Sequence, residues 1–335
     1  MKYQKLGASG IDVSVISMGC WGIGGGSVWS DLSPDVKEVR DLLCAAKGHG
    51  INYLDTAPVY GVGRSETLLG EALKGIRDHF IVQSKVSLNW RNTESEFEYE
   101  RDGKMVYKNH HANAIRQDVE DSLTRLQTDY LDSVVVHRMS STVPVSETMQ
   151  ELMKLKKEGK IRAIILSNSK PSDFEAYASY GEVDGVQEKF SLLSPENQLY
   201  FETCRKHHAV FQVYGSLEEG VLTGRKFLER SFGKNDVRTA NSWNQEPAAS
   251  ALKDMYDALE PLTDKYHCSY ANLFQAWTIK QYENLNLLTG FRHVSTMDDT
   301  CKVFDVNLSE EDASFICQQA DKVRKMHDGK NPFVK

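Results

Sequence analysis

Ser133-Val134-Val135-Val136-His137 is the stretch on which the fold turns. The valines are β-branched, and a strand that is apolar at successive positions is covered on both faces, as strands of a parallel sheet are. Its flanks agree, because residues 113–126 and 146–158 carry apolar positions at helical spacing. Further outward the same alternation recurs. Apolar runs at 15–18, 52–55, 80–85, 133–137, 163–167, 185–190, 209–214 and 286–290 make eight, and helical stretches fall at 34–49, 65–74, 171–178 and 195–207. Eight βα units close a barrel, so the expectation is an α/β protein, a (β/α)8 barrel forming one domain over residues 1–335. Ser33 before Pro34 predicts a helix cap with proline at the first helical position, and Gly48, Gly50 and Gly159 predict helix ends. Residues 3–6 and Val13, joined across Gly7-Ala8-Ser9-Gly10, predict a β-hairpin that plugs the N-terminal end of the barrel.

The bulk numbers narrow the function classes. Hydrophobic residues make up 40% and charged residues 26% of the 335 positions, a balance that supports a packed core and a solvated surface. The formal charge of -7, with no basic run, argues against nucleic acid as a partner. No apolar stretch approaches the roughly 20 residues of a membrane helix, and the opening MKYQKLGASG lacks an apolar signal region, so no membrane partner and a cytoplasmic location are expected. The six cysteines are scattered without a CxxC pair, which predicts reduced thiols and no metal site. Nothing in the sequence specifies an oligomeric state.

Two connections exceed ordinary loop length, at 89–111 and 222–245, and both follow strands at what would be the C-terminal face. The first interleaves Trp90, Phe97, Tyr99 and Tyr107 with charges that include Arg91, Glu94, Glu96, Glu98, Glu100, Arg101, Asp102 and Lys104. Asp102-Gly103 predicts a tight turn, hence a hairpin with Tyr99 and Tyr107 on its arms, able to close over a bound polar substrate.

Active sites of such barrels lie at the C-terminal ends of the strands. Here one run ends in Asp55, one in Lys85 and one in His137, while Tyr60 follows Asp55 by five residues in a turn stiffened by Pro58. Taken singly, each has an ordinary role: a helix cap, a surface lysine, a buried histidine, a packing tyrosine. Their joint occurrence at successive strand ends carries a chemical reading. Tyr60 is a weak acid unless a cation stabilises its phenolate, Lys85 supplies that cation, and Asp55 keeps the lysine charged. His137 then hydrogen-bonds and orients a substrate carbonyl.

The run Asn52-Tyr53-Leu54-Asp55-Thr56-Ala57-Pro58-Val59-Tyr60-Gly61, with Gly63, Ser65, Glu66 and Gly70, resembles the catalytic segment of the aldo-keto reductase superfamily, and Ser84-Lys85 and Val136-His137-Arg138 resemble the two that follow. Gly159-Lys160-Ile161-Arg162-Ala163-Ile164, Ser167-Asn168, Gln187, Tyr214-Gly215-Ser216-Leu217, Gly220-Val221-Leu222-Thr223-Gly224 and Gly290-Phe291-Arg292 extend the resemblance from Leu6 to about Leu308. Arg125-Leu126-Gln127-Thr128-Asp129-Tyr130 makes it similar to bacterial general-stress and inositol-operon reductases. The resemblance implies a nicotinamide cofactor bound without a Rossmann fold. Tyr214 would stack on its ring, and Ser167, Asn168 and Gln187 would hold its carboxamide. Ser216, Leu217 and Gly220 would lie along the pyrophosphate, with Gly215, Leu222 and Arg225 near them. Trp21, Gly22 and Asp55 are implied cofactor contacts, and Gly22-Ile23-Gly24-Gly25-Gly26, which lacks dinucleotide-fingerprint spacing, reads as a flexible loop at the mouth. Trp21, Tyr60, Trp90, His137 and Arg138 are the substrate candidates.

Arg292 bears on the cofactor. A guanidinium matches a phosphate in bidentate geometry, so an arginine after Gly290-Phe291 suits the 2′-phosphate of NADP(H). The segment departs from the family pattern at His293, Thr296 and Thr300 while retaining the acid Asp299, which leaves NAD(H) open as a second cofactor. The expected function is therefore NADP(H)-dependent interconversion of a carbonyl, in a small aldehyde, ketone or sugar, with an alcohol. A sugar dehydrogenase or redox epimerase working in the oxidising direction, and a non-catalytic NADPH-binding regulatory subunit akin to potassium-channel β subunits, stand as the alternatives.

Overall fold

A computed structural model describes residues 1–30, 33–91 and 95–327. Thr93 and Glu94, part of the first long connection, lie outside them. The strands are β1 Tyr3–Lys5, β2 Asp12–Ser14, β3 Ile16–Gly19, β4 Tyr53–Asp55, β5 Ile81–Val86, β6 Leu88–Asn89, β7 Glu96–Arg101, β8 Lys104–Lys108, β9 Leu131–Val136, β10 Ile161–Ser167, β11 Gly185–Lys189, β12 Val210–Tyr214 and β13 Leu285–Gly290. Eight of them, β3, β4, β5 and β9 to β13, form a closed parallel barrel in chain order, with Leu287 pairing Ile16 where the last strand meets the first. The expected barrel is thus the observed one, and β9, carrying the valine run, is buried at every position.

The helices are α1 Trp21–Gly24, α2 Val36–Gly48, α3 Arg64–Ala72, α4 Ala112–Leu126, α5 Val145–Lys157, α6 Pro171–Ala178, α7 Tyr200–His207, α8 Arg225–Leu228, α9 Ala248–Tyr266, α10 Tyr270–Lys280, α11 Val294–Thr300 and α12 Glu310–Met326. Each of the long ones buries one stripe against the barrel: Ile115, Val119 and Leu126 on α4, Met149, Leu152 and Leu155 on α5. Burying a side chain of this size contributes about 1.5–3 kcal/mol, which fixes the helices' rotation about their axes.

β1 and β2 form the expected antiparallel hairpin, and Leu6, Ile11 and Val13 insert among the inward residues Tyr53, Val135, Ala163, Ile165 and Val210, which plugs the barrel at its N-terminal end. Gly7 turns this hairpin with φ +56° where a Cβ would lie 2.1 Å from the Asp184 carbonyl oxygen, so only glycine allows the approach.

Two expectations need correction, and the second long connection holds elements of its own. The cap of α2 is Asp35, not Ser33: its carboxylate accepts from the Glu38 N–H at 2.8 Å and the Glu38 carboxylate accepts from the Asp35 N–H at 2.9 Å, a reciprocal box that a serine two residues earlier cannot form. Gly22–Gly24 is no flexible loop but the turn of α1, with Ile23 and Gly24 buried. A Cβ on Gly24 would lie 2.6 Å from the Tyr60 carbonyl carbon, so the small residues serve close packing onto the Tyr60 turn. Residues 222–245 are likewise structured, as α8 and short 3-10 turns at Val237–Ala240 and Ser242–Asn244, with Asp236 bonded to Ser30 and Arg238.

Candidate active site

At the C-terminal mouth, β4 ends in Asp55, β5 carries Lys85, and His137 follows β9 with its N–H on the Val86 carbonyl at 3.1 Å. The Lys85 ammonium donates to Asp55 and to the Thr56 carbonyl at 3.1 Å, and both side chains of the ion pair are 1% exposed. The same ammonium sits 5.2 Å from the Tyr60 ring centre, and the His137 ring stands edge-on to Tyr60 with centroids 6.2 Å apart. The four sequence candidates therefore meet in one place.

Burial sets their protonation. It pulls the His137 imidazole well below its ordinary value, helped by Lys85, Arg138 and Arg101, so the ring is neutral at physiological pH. Its Nδ1 is buried without a hydrogen-bond partner among the described residues. Burial, then the Asp55 charge, pushes the Tyr60 phenol well above its usual value. Lys85, whose ammonium faces the ring and spends its hydrogen bonds on Asp55 and Thr56, does not outweigh that burial, so in the resting site the phenol keeps its proton. Tyr60 is a firmly protonated group beside a neutral imidazole. Burial also pulls the Lys85 ammonium down, opposed by Asp55.

Aromatic rings line the mouth. Trp21 stacks on Tyr60 at 6.1 Å and meets Trp29 edge-on at 4.8 Å. The connection after β5 is the predicted hairpin of β7 and β8, turning at Asp102 and Gly103 with φ +49° and +70°; β6 extends it to three strands. Its Val106 packs with Ala57, Val59 and Leu88, and Tyr60, Trp90 and Tyr99 border that cluster. At the tip, Asp102 accepts from the Ser27 hydroxyl at 2.8 Å, joining the hairpin to the segment after α1. Arg138 reaches Glu98 of β7 at 3.4 Å.

The implied cofactor groups continue around the rim. The Tyr214 hydroxyl donates to the Asn168 side chain at 2.8 Å, Asn168 donates to Ser167 at 3.0 Å, and Ser167 donates to the Gln187 carbonyl at 2.7 Å. The Gln187 Nε2 donates to Asp55 and Gln212, which leaves its Oε1 to meet a carboxamide. Gly215 and Gly220 have φ of +69° and +110° beside buried Ser216. Leu217 packs partly on the core, Leu222 is wholly inside it, and Phe291 is buried beside Gly290. Arg225, on α8, pairs with Asp257 and Glu260. The Arg292 guanidinium lies 4.7 Å from the Trp29 ring centre, next to Gly22, and Arg238 lies 5.5 Å from the same ring. Partial burial, then the charge of Arg238, pull Arg292 down to about 10 with Asp236 opposing; Arg238 is itself paired with Asp236, which leaves the Arg292 guanidinium open at the rim to an anion. On α11, Thr300 is buried, Thr296 exposed, and Asp299 accepts from Ser269 at 2.8 Å. Glycine turns, a ladder of amide and hydroxyl groups and a cationic rim fit a nicotinamide dinucleotide. No group of three or more His, Cys, Asp or Glu side chains among the described residues is arranged to hold a metal, and no helix among them is long and apolar enough to cross a membrane.

The sequence reading missed the floor of the site, where Gln83, Gln212 and Asn286 stand fully buried. The signal was there: Gln83 precedes Lys85 by two and Gln212 precedes Tyr214 by two, so each shares the inward face with a site residue.

Residues 15–320 match the Aldo/keto reductase family. The chain is 35% identical over 332 residues to the NADH-specific methylglyoxal reductase of Escherichia coli (strain K12), spanning 97% of this chain and 100% of that protein. It is 31% identical over 318 residues to the aldo-keto reductase YhdN of Bacillus subtilis (strain 168), spanning 93% and 91%. Among solved structures, the glycerol dehydrogenase of Gluconobacter oxydans superposes with a TM-score of 0.84 at 29% identity, covering 96% of this chain and 95% of that one. The chain belongs to the aldo/keto reductase family and is an oxidoreductase that interconverts carbonyl and alcohol with a nicotinamide cofactor.

Proposed function

We propose that this protein, acting as one domain in the cytosol, reduces a small polar carbonyl with NADPH, Tyr60 giving the proton. The carrying observation is the meeting of Tyr60, Lys85, Asp55 and His137, with the tyrosine held protonated and the imidazole held neutral. A bound nicotinamide supplies the hydride. His137, as a neutral donor, fixes the carbonyl oxygen within reach of the Tyr60 hydroxyl, and Tyr60 passes its proton to that oxygen as the alcohol forms. Lys85, held by Asp55, balances the phenolate left behind. Trp21, Trp90 and Tyr99 wall the substrate and exclude water, with Arg138 at the rim.

Arg292 beside Arg238 favours the 2′-phosphate of NADP(H), while the similarity to an NADH-specific enzyme keeps NADH as a second cofactor. The similarity to a glycerol dehydrogenase favours a second reading, operation toward oxidation, since the same residues serve both directions by microscopic reversibility. The test is a panel of aldehydes, ketones, sugars and polyols, methylglyoxal and glycerol among them, followed at the nicotinamide absorbance band with both cofactors. Turnover of small polar carbonyls with NADPH preferred is the expected result; no turnover of any member with either cofactor would refute it.

A further inference from the structure

The floor of the site is built from side-chain amides rather than aliphatic groups. One oxygen of Asp55 accepts from Lys85, from the Gln83 Nε2 at 2.6 Å and from the Gln187 Nε2 at 2.9 Å. Both amide nitrogens also donate to the Gln212 Oε1, at 2.8 and 2.6 Å, so the carboxylate and the Gln212 carbonyl face each other across two amide groups. The Gln212 Nε2 donates to the Asn286 Oδ1 at 2.8 Å, and Asn286 donates to the Ser14 and Val15 carbonyls at 2.8 and 3.2 Å. On the far side, the Gln83 Oε1 accepts from the Tyr53 hydroxyl and from Ser133 at 2.9 Å.

Both ends of this chain are obligate acceptors, a carboxylate and backbone carbonyls, so the amide orientations are fixed by chemistry. A barrel interior is ordinarily filled by branched apolar side chains, and a buried amide is tolerated only when its hydrogen bonds are made. Packing alone does not call for these amides. What they add is a set of N–H donors aimed at a buried carboxylate that water does not reach. In a dry ion pair the proton can pass from the ammonium to the carboxylate and erase both charges. Donors on Asp55 oppose that transfer and so keep the positive charge on Lys85, below the Tyr60 ring.

We infer that Gln83 is a positioning residue for the proton-transfer set, acting through Asp55 and Lys85 by way of this amide chain. The inference rests on the proposed reading of Tyr60 as proton donor.

Gln83→Leu keeps the volume and removes the donors. The expected result is a fall in kcat for methylglyoxal reduction on the order of 10- to 150-fold, the effect of one charge-assisted hydrogen bond. The rising pH limb of kcat/KM for glycerol oxidation moves up by about one unit, because a less well-supported cation makes the phenolate harder to form. The NADPH dissociation constant, read by fluorescence, stays within about twofold, as does KM. A limb that does not move overturns the inference, whatever happens to kcat, since a merely structural loss would not displace it. Should Gln83→Leu fail to fold, Tyr53→Phe decides: it removes only a hydroxyl donating to Gln83, and a smaller upward displacement supports the inference while an unmoved limb overturns it. Tyr60→Phe in parallel separates the two readings. Full activity there refutes the proton-donor assignment itself, whereas its loss beside an unaffected Gln83→Leu refutes only the role of Gln83.

Discussion

At the scale of single residues, environment decides role. Tyr60 and His137 share one mouth, each partly buried, and burial acts on them oppositely, holding a proton on the phenol and off the imidazole, because in each it penalises the charged form. That is the division needed by a group that gives a proton and a group that orients an oxygen. Arg292 presents the complementary case of a cation held at the rim over Trp29, beside the Arg238–Asp236 pair. Arg292→Ala should therefore weaken NADPH far more than NADH, by on the order of 10- to 150-fold in Kd for the loss of a charge-assisted hydrogen bond to phosphate. Titration of both cofactors against the variant checks this, and equal losses would assign Arg292 a structural role. His137 was legible because it closes a strand whose pattern is plain, Tyr60 because it follows such a strand end by five residues, and Arg292 through the family resemblance. The effect of Lys85 on Tyr60 was not, because it depends on where the ammonium's hydrogen bonds go, a matter of three-dimensional direction. Nor was Gln187's attachment to Asp55, which comes from a different strand.

Elements carried their information unevenly. The barrel strands and α6 follow from periodicity within a residue or two, since burial on both faces or on one stripe leaves a strong imprint. The start of α2 did not, because two capping signals lie side by side and the stronger, Asp35 with Glu38, is set by side-chain reach. Residues 222–245 carry short turns whose stability comes from tertiary anchors such as Asp236 on Ser30, invisible to local reading. The hairpin of β7 and β8 was legible through Asp102-Gly103 alone; its latch on Ser27 was not. If the hairpin closes over substrate, Asp102→Gly should loosen it without backbone strain, since glycine accepts the positive φ. KM for the natural substrate should rise about fivefold, the worth of roughly 1 kcal/mol, with NADPH affinity unchanged. Identical steady-state constants for variant and parent would remove the tip contact from the site.

Across the whole molecule the barrel separates two tasks, a plugged N-terminal end that closes the core and an open C-terminal end that holds the chemistry. Stability and activity should therefore respond to different residues. His110, buried behind the hairpin and 1% exposed, has its imidazole pulled by burial from 6.5 to about 4. The unfolded chain takes up that proton below about 6.5 and the folded one only near 4, so the stability is intact above 6.5 and is lost as pH falls through that window. Denaturant unfolding of the parent against His110→Phe should show a difference that changes by about 3 kcal/mol between neutral pH and pH 4; a constant difference would mean that the histidine takes up its proton as readily in the fold as in the unfolded chain. The central claim, that Tyr60 hands its proton to the carbonyl, is tested most directly by a single turnover of Tyr60→Phe with NADPH already bound, mixed with methylglyoxal and followed at the nicotinamide absorbance. The ring and its packing remain and only the hydroxyl is gone, so NADPH should bind as in the parent while its oxidation slows by roughly 10²–10⁴-fold. Oxidation within about threefold of the parent rate would contradict the account.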